Sequence, residues 1–210
     1  MAARNILNLI RGKFEASIQR VDMPTDQRLF VFVQLDRIKE ICRYVFRDLD
    51  ARYVISIGMD DRPWSGNFLV SHDFAFDKEK VLLCILTYVP GDDPRVDAIS
   101  DVVPGANWAE REFRDLVGIV PVGCPNPKRL VLPDGWPEGE HPLRKDKPWN
   151  YVPPGFDDTK EYPFEEPPEG CTVVPFGPFH PTLDEPAHFR LYVDGEVVRG
   201  CEYRGFMIHR

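Results

Sequence analysis

The stretch that decides the fold is Asn107–Gly118, which reads NWAEREFRDLVG. In this stretch and just after it, apolar residues recur at the three- and four-residue spacing of an amphipathic helix: Ala109, Phe113, Leu116, Val117 and Val120. Gly118 stands where such a helix commonly ends in left-handed backbone. The pattern therefore predicts one helix with a buried face and a charged face.

The polar residues of this helix supply further predictions. Asn107 is expected to cap the first turn, with Glu110 completing a capping box. Glu110 with Arg114, and Arg111 with Asp115, lie four residues apart and are expected to form ion pairs. Exposed pairs of this kind contribute only ~0.3–0.5 kcal/mol, which is too little to explain the pattern by folding alone.

Apolar periodicity predicts strands and helices on the N-terminal side of this stretch. The strands are expected at Arg28–Leu35, Tyr53–Ile57, Asn67–Phe74 and Val81–Val89. The last is apolar on both faces, which favours a central position in the sheet. Helices are expected at Arg4–Arg11, from about Asp36, and at Val96–Val102. This order predicts an α+β fold, a mixed β-sheet with flanking helices.

Proline divides the chain, because sixteen of its 21 prolines lie between Pro121 and Pro186. Proline removes an amide donor and fixes φ, so this part is expected to be extended. Farther on, Asp194-Gly195 favours a type I′ turn in a C-terminal β-hairpin, His188–Cys201. We therefore predict an α+β domain over residues 1–120, a Pro-rich extended segment over 121–175 and a hairpin segment over 176–210.

Composition excludes several classes of protein. The net charge of -8 gives little support for a nucleic-acid partner. No apolar run approaches the ~20 residues that span a bilayer, and the N-terminal stretch lacks a signal-peptide cleavage site, so we expect a cytoplasmic chain. The five cysteines are never closer than 30 residues, which provides neither a disulfide framework nor a paired-cysteine metal site.

The charged helix and the residues after it resemble a known signature. Glu110-Arg-Glu-x-x-Asp115-Leu-Val, followed by Cys124 and Lys128-Arg-Leu-Val131, resembles the thirty-kilodalton subunit of complex I, an NADH dehydrogenase. Cys124 departs from that family, which usually has His or Lys there. The resemblance extends to His141-Pro-Leu-Arg-Lys-Asp146 and covers about residues 1–150. It implies a structural subunit whose contacts with other subunits involve the charged residues Glu110, Arg111, Glu112, Asp115, Arg144, Lys145 and Asp146.

A second resemblance begins at Phe176. Gly177-Pro-Phe-His-Pro181 resembles the opening loop of the large subunit of complex I and of membrane-bound nickel-iron hydrogenases. Thr182-Leu183-Asp184 then stands where quinone-reducing members have small residues and a second His. The run from Asp184 to Glu196 is similar to the catalytic subunit of formate hydrogenlyase-type hydrogenases. His180, Asp184 and His188 are accordingly expected in a loop at the redox cavity.

These resemblances imply a non-catalytic scaffold in a hydrogenase complex that passes electrons to protons. Its partners would be a large catalytic subunit and a small iron-sulfur subunit, with membrane subunits contacted indirectly. The nickel-iron centre and the iron-sulfur clusters would lie in those partners, and this chain would hold no cofactor. The chain would then lie on the inner face of the cell membrane.

Two alternatives stay open from the sequence. The first is the same scaffold in an NADH:quinone oxidoreductase of the complex I type, because the first domain does not discriminate between the two complexes. The second is an independent enzyme using His72, His141, His180 or His188 with nearby acids. No nucleophile elbow, phosphate-binding glycine loop or HExxH motif supports the second alternative.

Overall fold

The computed structural model describes residues 2–133, 135–156 and 164–205. The chain divides into two compact units, Met1–Lys160 and Glu161–Arg210. The Pro-rich stretch after residue 120 is thus shared between the units, since residues 121–156 lie in the first. Prolines prevent regular helix or strand over most of residues 121–156, and side chains of the first unit bind parts of this segment.

The first unit combines a five-stranded sheet with helices. Its elements are α1 (Ala2–Phe14), β1 (Ile18–Thr25), β2 (Arg28–Val33), α2 (Ile38–Arg47), β3 (Arg52–Asp60), α3 (Arg62–Ser65), β4 (Asn67–Phe76), β5 (Val81–Pro90), β6 (Arg95–Asp97), α4 (Ala106–Leu116) and β7 (Val120–Val122). The sheet order is β1-β2-β5-β4-β3. The β2 and β5 strands pair in parallel and the other neighbours are antiparallel. The predicted α+β class with a mixed sheet is confirmed, and β5 is the central strand.

One face of the sheet carries the main core. The apolar stripe of α2 is fully buried there, with Ile38, Ile41, Cys42 and Val45 inaccessible to solvent. These residues follow the helical spacing that predicted α2. Burial of several such side chains stabilises the fold by about 1.5–3 kcal/mol each. The sheet and α2 therefore form a firm base for the elements that follow.

Two elements differ from the sequence predictions. The predicted helix Val96–Val102 is wrong, because Arg95–Asp97 forms strand β6 and pairs in parallel with β7. In β6, Val96 is buried and its two neighbours are exposed, as expected for a strand. Three residues are too few for this alternation to be recognised in the sequence. Strand β1 was not predicted, because this edge strand has no buried residue.

The second unit contains an antiparallel sheet in the order β10-β9-β8, formed by β8 (Thr172–Phe176), β9 (His188–Asp194) and β10 (Val197–Arg204). The predicted hairpin is present as β9 and β10. Its two-residue loop is Gly195-Glu196, and only Gly195 has positive φ, at 61°. This pattern belongs to a type II′ turn, so the predicted type I′ turn is wrong. Strand β8 was not predicted because it contains Pro175, which is tolerated at a sheet edge.

Candidate functional site

Helix α4 lies very close to the sheet. A Cβ added to Gly58 in β3 would lie 2.5 Å from the Cβ of Phe113. Only glycine leaves room for that ring, which is buried together with Ile119. The apolar face of α4 is therefore fixed on β3, and its polar residues point toward the segments that surround it.

The predicted cap of α4 is wrong. The helix begins at Ala106, one residue before Asn107, and no side chain caps it. Asn107 is thus inside the first turn, and its amide donates to Cys124 Sγ at 3.1 Å and to the Asn126 carbonyl at 3.4 Å. The start of the helix contacts the segment that returns after β7.

Glu110 is completely buried and does not complete a capping box. Its Oε1 accepts a hydrogen bond from the Ile99 amide at 2.5 Å. Burial raises the pKa of this carboxyl, while the hydrogen bond from the Ile99 amide opposes that rise. Glu110 thus fastens the loop before α4, and its carboxylate is inaccessible from the surface of this chain.

The two basic residues of α4 bind backbone carbonyls. Arg111 donates to the carbonyls of Lys128 and Arg129 at 2.7 and 2.8 Å. Arg114 donates to the Pro127 carbonyl. The predicted ion pairs of Arg114 with Glu110 and of Arg111 with Asp115 are therefore absent from these described side chains.

Asp115 organises the same returning segment through its carboxylate. Its Oδ2 accepts from the amides of Leu130, Val131 and Leu132 at 2.7, 2.9 and 3.3 Å. Hydrogen bonds to an ionised acceptor are stronger than those between neutral groups. We call residues 124–133 and 135–152 the strap, in a first and a second half.

The second half of the strap closes the C-terminal end of α4. The final carbonyls of a helix lack partners within the helix. Here His141 Nδ1 lies 2.8 Å from the Asp115 carbonyl, the Leu143 amide donates to Leu116 at 2.9 Å, and Arg144 Nε donates to Val117 at 2.9 Å. Since a carbonyl can only accept, Nδ1 of His141 carries a proton.

Gly118 allows this closure. Its φ of +85° confirms the predicted helix end, and a Cβ there would collide with the ring of His141 and the guanidinium of Arg144. Burial lowers the pKa of His141, which keeps the ring neutral over a wider pH range. The helix end, the ring and the guanidinium form one packed unit.

The middle of the second half of the strap is bound to β3 through Asp60. Arg62 forms two hydrogen bonds of 2.7 Å with this buried carboxylate and also contacts Asp146 Oδ1 at 3.2 Å. The Lys145 amide donates to Asp60 Oδ2 at 2.8 Å. The hydrogen bond from Arg62 is the main reason that the pKa of Asp60 falls to about 2. Sequence reasoning missed Asp60 and Arg62, because neither belongs to the recognised signature.

The structure divides the seven predicted contact residues into two groups. Glu110, Arg111, Asp115 and Arg144 direct their polar groups into hydrogen bonds within the chain. The side chains of Glu112, Lys145 and Asp146 are exposed, and Asp146 also accepts a hydrogen bond from Arg62. The assignment of these seven residues to contacts with other subunits stays a prediction.

The predicted cavity loop lies in the second unit. His180 stacks on Phe176 with ring centroids 4.0 Å apart, and its Nδ1 is 2.9 Å from the Thr182 hydroxyl. His180 and Asp184 line one open depression, and Asp184 is exposed. His188 begins β9 and contacts Phe164 instead. The structure thus brings together two of the three predicted residues.

His72 is buried in the sheet of the first unit. Its Nδ1 is 2.6 Å from the Ser56 hydroxyl, which in turn is 2.8 Å from the Tyr53 hydroxyl. Burial lowers the pKa of His72 to about 3. A neutral, enclosed imidazole of this kind is a structural group, and it gives no support to an independent enzyme.

The possible metal ligands are scattered in the part of the chain that the structure describes. Within the described ranges, no three His, Cys, Asp or Glu side chains are placed to hold a metal ion. The thiols of Cys42 and Cys84 are buried, which raises their pKa values and disfavours the thiolate that binds metals. In the same part of the chain, no helix is both long and apolar enough to cross a membrane.

Comparison with known proteins identifies the family. Residues 31–152 match the family of the respiratory-chain NADH dehydrogenase 30 Kd subunit, and the chain belongs to this family. A solved structure of a trypsin-resistant fragment of Nqo5 has the same fold, with a TM-score of 0.50 and 23% identity over 60% of this chain and 99% of the fragment. The matched range contains α4 and the whole strap.

Two relatives from Escherichia coli (strain K12) extend the similarity farther. Hydrogenase-4 component G is 35% identical over 98% of this chain and 38% of its own length. Formate hydrogenlyase subunit 5 is 36% identical over 89% of this chain and 33% of its own length. The chain therefore spans about a third of these curated relatives. The relatives of this chain thus include subunits of membrane-bound hydrogenases and of complex I-type enzymes.

Proposed function

We propose that this chain is a non-catalytic scaffold of a complex I-related, membrane-bound nickel-iron hydrogenase, in which it supports electron transfer to protons. The extent of the similarity carries the proposal. The family model ends at residue 152, whereas the match to Hydrogenase-4 component G covers 98% of the chain. The second unit is therefore shared with a hydrogenase relative, and the proposal does not rest on the first unit alone.

A second candidate is the thirty-kilodalton subunit of an NADH:quinone oxidoreductase, which the family of residues 31–152 favours. The loop of the second unit argues against it. Asp184 occupies the region where the resemblance implies a second His in quinone-reducing proteins. An ionised carboxylate cannot donate a hydrogen bond to a quinone carbonyl, whereas it can accept a proton and pass it on.

The proposed partners hold the redox groups. They are a large catalytic subunit with the nickel-iron centre and a small subunit with iron-sulfur clusters, and through them the chain would lie on the inner face of the cell membrane. The sequence supports this assignment, since such centres need thiolate ligands and the cysteines of this chain are never closer than 30 residues. The net charge of -8 also argues against a nucleic-acid partner.

Purification of the tagged chain from its native membranes tests this function. We expect two redox polypeptides to co-purify, with nickel and iron in the preparation and hydrogen evolution from a reduced dye. The chain expressed alone serves as the control and should contain no stoichiometric nickel or iron. Co-purified polypeptides that reduce quinone and contain no nickel would instead establish the second candidate.

A further inference from the structure

We infer that Glu110 is a buried proton-binding site that holds the loop before α4 in place. This loop, which we call the entry loop, comprises residues 98–105 between β6 and α4. The Glu110 carboxyl is neutral while the entry loop is closed, and release of its proton to the solvent as the pH rises frees the loop. The site lies within the first unit, so it does not depend on the proposed function.

The carboxyl group of Glu110 has one oxygen with a donor and one without. The residue is fully buried, and its Oε1 accepts from the Ile99 amide at 2.5 Å. Within the described residues, Oε2 forms no hydrogen bond, and neither does the buried Ser100 hydroxyl. An ionised carboxylate can only accept, so an enclosed oxygen without donors is costly, whereas a protonated carboxyl carries no charge. The enclosure therefore favours the protonated form.

The titratable groups that face Glu110 are acids. Burial raises the pKa values of Cys42 in α2 and Tyr53 in β3, and a charge on Glu110 raises both further. Asp101 of the entry loop is a second carboxyl group, and its charge adds to the larger effect of burial in raising the pKa of Glu110. A thiol, a phenol and a carboxylate thus face this side chain, and none of them supplies a positive charge.

The basic residues around this site bind other groups. On α2, Lys39 pairs with Asp101 at 2.8 Å, and Arg47 donates to a carbonyl of the entry loop at 3.0 Å. The arginines of α4 donate to the strap. None of these bases forms an ion pair with Glu110 in the part of the chain that the structure describes. A buried carboxylate without a paired cation is strongly disfavoured, so the closed loop selects the neutral carboxyl.

Loss of the proton opens the loop because the new charge must reach water. The carboxyl is the group that binds the Ile99 amide, so its displacement removes the anchor of the entry loop. Asn107, in the first turn of α4, donates to Cys124 and Asn126 at the start of the strap. Opening therefore also loosens this contact. The closed state is fully stable below the ordinary pKa of 4.5 and becomes less stable as the pH rises through the higher folded pKa.

A carboxyl titration of the wild-type chain tests the proton site. The chain is labelled with ¹³C at the glutamate side-chain carboxyls, and the Glu110 signal is followed by NMR as the pH is raised. We expect its midpoint to lie above the ordinary value of 4.5. In Asp101→Asn the midpoint should move to lower pH, because a like charge is removed. A wild-type midpoint at or below 4.5 would overturn the proton site.

Hydrogen exchange of the Ile99 amide tests the release of the loop, with rates corrected for the intrinsic effect of pH. Between about pH 5 and pH 8 we expect the corrected wild-type rate to rise by up to about tenfold per pH unit, because opening is coupled to release of one proton. Glu110→Gln keeps a carbonyl acceptor and carries no charge, so it should not show this rise. Glu112→Gln, on the exposed face of the same helix, is the matched control and should exchange as the wild type does. Parallel profiles for the wild type and Glu110→Gln would overturn the release of the loop. If Glu110→Gln does not fold, the wild-type titration still decides whether the site holds a proton.

Discussion

Asp60 and Lys145 are separated by 85 residues, yet the Lys145 amide donates to Asp60 Oδ2 at 2.8 Å. Asp60 is the last residue of β3, and its side chain is completely enclosed by Arg62 and the strap. The strap therefore returns to the sheet on which α4 packs. Within the first unit, α4 packs on β3, the strap binds α4, and the strap also binds β3 through Asp60.

The first prediction concerns the acid stability of this contact. The folded pKa of Asp60 is about 2, below the ordinary value of 3.8. Its contribution is therefore complete above about pH 4 and is lost as the pH falls toward 2. We expect the free energy of unfolding of the wild type to lose roughly 2 kcal/mol more than that of Asp60→Asn over this interval, measured by urea titration.

Asp77→Asn is the control for this experiment. Asp77 also pairs with an arginine, Arg52, but both side chains are exposed. Solvent screens such a pair, so the variant should follow the wild-type pH dependence closely. Parallel curves for the wild type and Asp60→Asn would show that Asp60 does not stabilise the strap.

The second prediction compares two glycines with positive φ. Gly118 has a φ of +85° and Gly123 a φ of +80°, so alanine is strained at both. Only at Gly118 would the new Cβ collide, with His141 and Arg144, whereas Gly123 has open space around it. We expect Gly118→Ala to cost about 1–3 kcal/mol more than Gly123→Ala, measured by urea unfolding. Equal losses would indicate that the strap does not pack on the helix end.

The third prediction concerns His72. Its folded pKa of about 3 lies below the ordinary 6.5, so the unfolded chain takes up a proton first as the pH falls. Stability should therefore decline between about pH 6.5 and 3, with this residue contributing up to about 1.4 kcal/mol per pH unit. His72→Asn should flatten that slope, because it removes the titrating imidazole. An unchanged slope in His72→Asn would place the titrating group elsewhere.

Sequence patterns predicted the parts of the fold that rest on regular burial. The α2 stripe and the continuous apolar run of β5 are repeated signals over ten residues each, and both were located within a few residues. Strand β6 was missed because three residues give no period, and its partner β7 lies 25 residues later. Its pairing depends on tertiary structure that no local pattern contains.

The charged residues of α4 show why the site was only partly predictable. Spacing alone made Glu110 and Arg114, or Arg111 and Asp115, equally good pairs along the helix. The prolines of the strap leave its backbone carbonyls and amides without partners nearby. These backbone groups bind Arg111 and Asp115 in place of the predicted ion pair. Helical periodicity contains no information about backbone groups that lie a dozen or more residues away in sequence. The signature was therefore recognised, but the hydrogen bonds of its side chains to the strap were not predicted.

The last prediction concerns the loop of the second unit in the assembled complex. Asp184 is exposed beside His180, where its carboxylate could relay protons once a catalytic partner is docked over the loop. Asp184→Asn should slow hydrogen evolution about 100-fold or more, a loss typical of a missing proton-transfer group, with unchanged nickel content and an unchanged set of partner polypeptides. Glu185→Asn, at the adjacent exposed position, is the control and should retain turnover. Equal turnover in both variants would leave the loop with a structural role alone, because a relay that depends on Asp184 cannot tolerate loss of its ionisable group.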